Sequence, residues 1–263
     1  MLQFGMPTLI EIDSLEDTME LCKELGLSFV ELNMNLPQYQ VEHLENITYL
    51  KSLKEKYQIG YTIHFDENLN VCDFNKAVAG AYIETVDRTI RVAKALDVPV
   101  LNMHMNHGVH FTLLERKIQL FEQYFEEYME SWRKFCTICE QSIGDSDIKI
   151  CFENTNGYRD YEKSAIEYSL KKDVFGLTWD IGHSNAVANM DEKFILDNSD
   201  KLYHFHIHDS LGKNDHITLG TGEIDLAQRL GIAEDCQCRC VVETKTIEAL
   251  KKSVLWLRKN DCI

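Results

Sequence analysis

The sequence predicts an α/β fold, a closed (β/α)8 (TIM) barrel, on three observations. Eight short apolar runs, rich in β-branched and aromatic residues, alternate with longer amphipathic stretches. The length of 263 residues suits one such barrel, a single domain over 1–263, better than a string of small domains. Histidines and acids stand at the carboxyl ends of the apolar runs, where a barrel of parallel strands gathers its chemistry.

In chain order, the first strand is expected at 2–5 (LQFG), followed by a helix from Ser14. Ser14 offers an N-cap hydroxyl, Asp17 favours the first turn, and Gly26 is placed to end the helix. The second strand is FVELN at 29–33, with a helix over about 42–56. IGYTIH at 59–64 and PVLNMH at 99–104 flank a long helix around 75–96. A second long helix is expected from about 112 to 142, with the acid-rich FEQYFEEYMESW facing solvent. Strands five to eight are KICFE at 149–153, VFGLTWD at 174–180, LYHFHIH at 202–208 and CRCVVE at 238–243. Helices are expected around 161–171, 191–197, 225–230 and 246–258. No internal repeat, proline-rich linker or low-complexity segment interrupts the pattern.

The composition narrows the functional classes. With 27 basic and 43 acidic residues the formal charge is −16, which repels phosphate backbones at long range and weighs against nonspecific nucleic-acid binding. No stretch of about 18 apolar residues and no signal-peptide pattern is present, so a cytoplasmic protein without membrane partners is expected. The nine cysteines match no secreted disulfide framework and are read as free thiols in a reducing compartment.

Six strand ends converge. Strand three ends in His64, four in His104, five in Glu153, and six in Asp180 with His183 just beyond; seven carries His206, and eight ends in Glu243. Crowding so many imidazoles and carboxylates on one face is costly unless a divalent cation coordinates and neutralises them. On strand seven His204, His206 and His208 share one pleat face, with Phe205 and Ile207 on the other. His206 is the ligand candidate, and His208 with Asp209 is read as orienting it or binding substrate. Cys236, Cys238 and Cys240 alternate on the face opposite Arg239, Val241 and Glu243, so the thiols should lie inert against the helices. The loop LGTGEID at 219–225 holds two glycines that permit close backbone approach to a ligand, though a plain turn explains them as well.

Taken in order, VELNM, YTIH, LNMH, CFENTNG, WDIGH, FHIHDS and VVET resemble the xylose isomerase-like barrel superfamily, in particular its sugar isomerase/epimerase and endonuclease IV branches. The resemblance implies a metal core of Glu153, Asp180, His206 and Glu243, with a zinc, manganese, magnesium or cobalt ion. It also implies proton transfer by Glu153 and Glu243 beside a metal-bound carbonyl of a small sugar-like substrate. The endonuclease branch implies a trinuclear zinc site, with His64, His104, His183 and His216 as further ligands and cleavage of abasic DNA as the activity, so that the two branches together imply one to three ions. There the acid expected at Asn214 is displaced to Asp215. The sugar branch places an arginine after the strand-seven histidine, where this chain offers Lys213, a point charge without the bidentate fork. The charge and the lack of a basic, aromatic stripe rank the small-sugar isomerase first and the nuclease second. A noncatalytic metal-containing binding or regulatory protein is the third reading.

Overall fold

The computed structural model describes residues 2–263. Eight parallel strands close a barrel: β1 (Gln3–Pro7), β2 (Phe29–Asn33), β3 (Gly60–His64), β4 (Val100–His104), β5 (Lys149–Glu153), β6 (Phe175–Asp180), β7 (Leu202–Ile207) and β8 (Arg239–Val242). Each pairs with its sequence neighbour, and β8 pairs back onto β1 through Phe4 opposite Cys240. Both faces of the strands are covered, which is why they read as almost continuous apolar runs.

The outer helices are α1 (Leu15–Glu24), α2 (Val41–Leu44), α3 (Ile47–Tyr57), α4 (Lys76–Leu96), α5 (Leu120–Gln123), α6 (Phe125–Ile143), α7 (Asp160–Leu170), α8 (Ile181–Ala186), α9 (Glu192–Asp197), α10 (Leu226–Asp235) and α11 (Ile247–Lys259). Ser14 caps α1 by accepting the Asp17 N–H at 3.0 Å. The helix expected over 42–56 is two, because the Asn46 side chain caps a new start at α3 and accepts the Tyr49 N–H.

The stretch expected to be helical from 112 begins instead as an antiparallel hairpin, His110–Thr112 against Lys117–Gln119. Gly108, at φ +65°, turns the chain, and a Cβ there would stand 2.6 Å from the Phe121 ring. Phe121 therefore packs back onto the turn and helix begins only at Leu120. The acid-rich segment of α6 is not solvated all round: Tyr128, Met129 and Trp132 are buried, and the Trp132 indole donates to Ser169 Oγ at 2.8 Å.

Strand register sets the height of the site. His64 lies opposite Asn102, His104 opposite Glu153, and Asp180 opposite His206. On β7, Phe205 turns outward to Trp179, with ring centroids 5.5 Å apart, while His204 and His206 turn into the barrel. Cys238 and Cys240 are buried, and burial pushes both thiols up, as expected for inert groups. Cys236 departs from the expectation: it caps α10 outside the strand and is half-buried. Among the described residues all nine cysteines are free, and no helix is long and apolar enough to cross a membrane.

Candidate metal centre

The barrel mouth is a cavity of about 490 Å³ with His104, His183, His216, Asp215, Glu243 and Lys245 in its lining. Below it, Glu153, Asp180, His206 and Glu243 bring one donor atom each within 4.8 Å of one another. His206 Nδ1 lies 3.2 Å from Glu153 Oε1 and 3.1 Å from Glu243 Oε2. Among the described residues all three atoms are buried without a hydrogen-bond partner. Ligands at about 2.1 Å from a tetrahedral ion stand about 3.4 Å apart, so this spacing and this lack of partners fit a divalent cation.

Each glutamate has its other oxygen tethered. Asn102 Nδ2 donates to Glu153 Oε2, and Lys245 Nζ pairs with Glu243 Oε1 at 3.0 Å. Burial alone would raise both carboxyl groups, but His206 and His104 beside Glu153, and His206 and Lys245 beside Glu243, hold them well below the usual range. Asp180 ends β6 and caps α8, its Oδ1 accepting the His183 N–H at 2.7 Å.

Two further groups adjoin the first. His64 Nε2 and His104 Nε2 lie 3.3 and 3.2 Å from Glu153 Oε2. His64 Nδ1 contacts the Phe65 carbonyl at 2.7 Å; a carbonyl only accepts, so the neutral ring keeps its lone pair on Nε2. His183 and His216 approach Nε2 to Nε2 at 3.3 Å, and Asp215 Oδ2 is 3.9 Å from His183 Nε2. Asp215, not Asn214, is the acid within reach.

None of the three residues expected to contact substrate, His208, Asp209 and Lys213, lines the cavity. Lys213 is exposed on the hairpin Asp209–Leu211/Asn214–Ile217 and does not line the cavity; Lys245, after β8, does. Asp209 is buried, and its carboxylate accepts the N–H groups of Ser210, Gly220, Gly222 and Ile224. The 219–225 loop is wrapped around Asp209: a Cβ at Gly222 would stand 2.3 Å from Asp209 Oδ1. Its close backbone approach therefore serves an internal carboxylate. His208 is fully buried under the mouth.

Glu31, inside β2 and not at a strand end, also belongs to this site. It is buried in the barrel, with Oε2 accepting from His204 Nε2 and Thr62 Oγ1, each at 2.9 Å, and Oε1 2.8 Å from His206 Nε2. These contacts are shorter than the spacing of ligands around one ion, so Glu31 steadies the far side of the His206 ring. Its signal is the single acid inside the apolar run FVELN.

A closed (β/α)8 barrel with converging carboxylate and imidazole atoms at its carboxyl mouth, buried without hydrogen-bond partners, defines the class: a TIM barrel whose mouth carries a donor set that fits a divalent metal. The chain belongs to the xylose isomerase-like TIM barrel family, whose model matches residues 19–260. It is similar to the Methanocaldococcus jannaschii protein MJ1311, 27% identical over 242 residues that cover 87% of this chain and 78% of that one. Among solved structures it resembles a D-tagatose 3-epimerase-like protein, with 24% identity, TM-score 0.77, and 98% and 96% of the two chains covered. It also resembles the IOLI protein with a bound zinc atom, with 16% identity, TM-score 0.74, and coverage of 99% and 96%. At these identities the structural likenesses speak for the fold.

Proposed function

We propose that this protein is a divalent-metal-dependent isomerase or epimerase of a small sugar or a related polyol or keto acid. One observation carries the reading: Glu153 and Glu243 each have one oxygen tethered and one partnerless oxygen turned to His206 Nδ1, at the foot of a small-molecule-sized cavity. Glu153, Asp180, His206 and Glu243 would hold the ion. Bound there, the ion would supply Lewis-acid polarisation of a substrate carbonyl. Glu153 and Glu243 then exchange the carbon-bound proton, one as base and the other as acid according to the substrate face. Asn102 and Lys245 hold the second oxygen of each, so the oxygen turned to His206 is the one that would face the ion. The names of the neighbours, an epimerase-like protein and a zinc-containing one, favour the same reading.

The test is exchange of the substrate proton with solvent deuterium over a panel of ketoses. The wild type should exchange, and Glu153→Gln or Glu243→Gln should abolish exchange. Full exchange in both variants would remove them from the reaction.

A second reading, an endonuclease IV-like zinc phosphodiesterase acting on abasic DNA, is favoured by the His64–His104–Glu153 and His183–His216 groups beside the central one. It requires zinc-loaded protein to nick an abasic duplex and to lose that activity in His64→Ala. Tight zinc binding with neither activity would support a noncatalytic binding role.

A further inference from the structure

His208 follows β7 directly and reaches both the central acid and the hairpin over the mouth. Its Nδ1 receives the backbone N–H of His216 at 2.7 Å. A backbone N–H only donates, so this nitrogen carries the ring's lone pair and the proton of the neutral ring resides on Nε2. The Asp209 carbonyl, 3.4 Å from the same nitrogen, is the weaker contact. Nε2–H then donates to Asp180 Oδ2 at 2.9 Å. Both ring nitrogens are thereby used within the protein.

The ring is closely packed. The His216 ring stacks on it at 4.0 Å between centroids and 25° between planes. The WDIGH motif supplies Gly182 against the same ring, where a Cβ would stand 2.0 Å from His208 Cε1. Only glycine leaves room for the imidazole beside Asp180.

We infer that His208 is a positioning residue that locks Asp180 to the hairpin Asp209–Leu211/Asn214–Ile217, so that one ring sets both the central acid and the placement of Asp215 and His216 over the cavity. The ring thus makes two separable contacts, Nε2–H to the central acid and Nδ1 to the hairpin backbone. The consequence for metal rests on the metal-dependent reading above; the role of the ring rests on its own contacts.

Because the two nitrogens have different partners, two substitutions separate them. His208→Asn offers an acceptor near the position of Nδ1, and His208→Gln offers a donor near the position of Nε2. In the full chain, zinc affinity measured by titration should fall about 10- to 100-fold in His208→Asn and be largely kept in His208→Gln. Amide exchange at His216 should speed up about tenfold in His208→Gln and stay slow in His208→Asn, with β4 amides unchanged in both. Long-range nitrogen NMR of the wild type should show the Nε2–H tautomer at His208, a readout that needs no variant to fold. Equal behaviour of the two variants, or an Nδ1–H tautomer in the wild type, would overturn the inference. If the wild type binds no zinc, the metal reading fails, and the tautomer and exchange results still decide the role of His208. Absence of sugar turnover alone would count only against the proposed reaction.

Discussion

The Nε2 atoms of His183 and His216 face each other across 3.3 Å at the barrel mouth, while their Nδ1 atoms lie against the carbonyls of Asn154 and Glu243. Two imidazole lone pairs do not attract, so a proton or a cation must sit between them. The surroundings favour a proton on His183 in the metal-free protein. Burial opposes its charge, but Asp180 and Glu153 outweigh it and raise His183, whereas burial lowers His216. The sugar reading therefore expects zinc-equilibrated, desalted protein to hold one ion per chain by elemental analysis, unchanged in His183→Ala. Three ions, falling to two in His183→Ala, would move the assignment to phosphodiester chemistry.

Metal binding should release protons. Burial disfavours the His64 imidazolium, yet the Glu153 carboxylate 3.3 Å away prevails and raises its pKa to about 9. His206 moves the same way, burial again being outweighed by Glu153, Glu31 and Glu243. Ligation needs neutral rings, so zinc titrations at pH 7 should give heats that depend on the ionisation enthalpy of the buffer. Identical heats in all buffers would contradict this. For stability, the folded pKa of His64 lies above the ordinary 6.5, so its contribution is complete below that pH and lost as pH rises through about 9. The Tm of the metal-free protein should decline across that window more steeply than that of the zinc-loaded protein.

Much of this site was legible because a change of period marks each strand end, and His64, His104, Glu153 and Asp180 are the last residues of their strands. Glu31 was not legible, because its partner His204 is 173 residues away and the two meet only when the barrel closes. His208 continues the period-two pattern of His204 and His206, but β7 ends at Ile207 and the chain turns into a hairpin. Sequence period alone gives no sign of that turn. The hairpin at 110–119 escaped for a related reason: the packing of Phe121 on Gly108 is a tertiary contact that overrides local helical pattern.

Asp209 should matter for stability and not for chemistry. Its carboxylate accepts four backbone N–H groups, three of them from the loop that follows the hairpin. Asp209→Ala leaves these donors without their acceptor in a buried setting, at a cost of about 3 kcal/mol or more. Denaturant unfolding should show that loss, and hydrogen exchange should place it at residues 219–224. A variant as stable as the wild type would show that the loop does not depend on this side chain.

Lys245 and Lys213 can be separated by one kinetic comparison. Lys213 is exposed and lines no part of the cavity, so Lys213→Gln should leave KM and kcat close to wild type. Lys245 lines the cavity and pairs with Glu243 Oε1 at 3.0 Å, helping to hold that carboxyl group low. Replacing it with glutamine keeps a hydrogen-bond donor but removes the charge, so Glu243 becomes easier to protonate and less available as a base. With Lys245→Gln, kcat/KM should fall about tenfold, and the acidic limb of its pH profile should move to higher pH. A tenfold loss in Lys213→Gln with none in Lys245→Gln would reverse the assignment and return the substrate contact to the hairpin after β7.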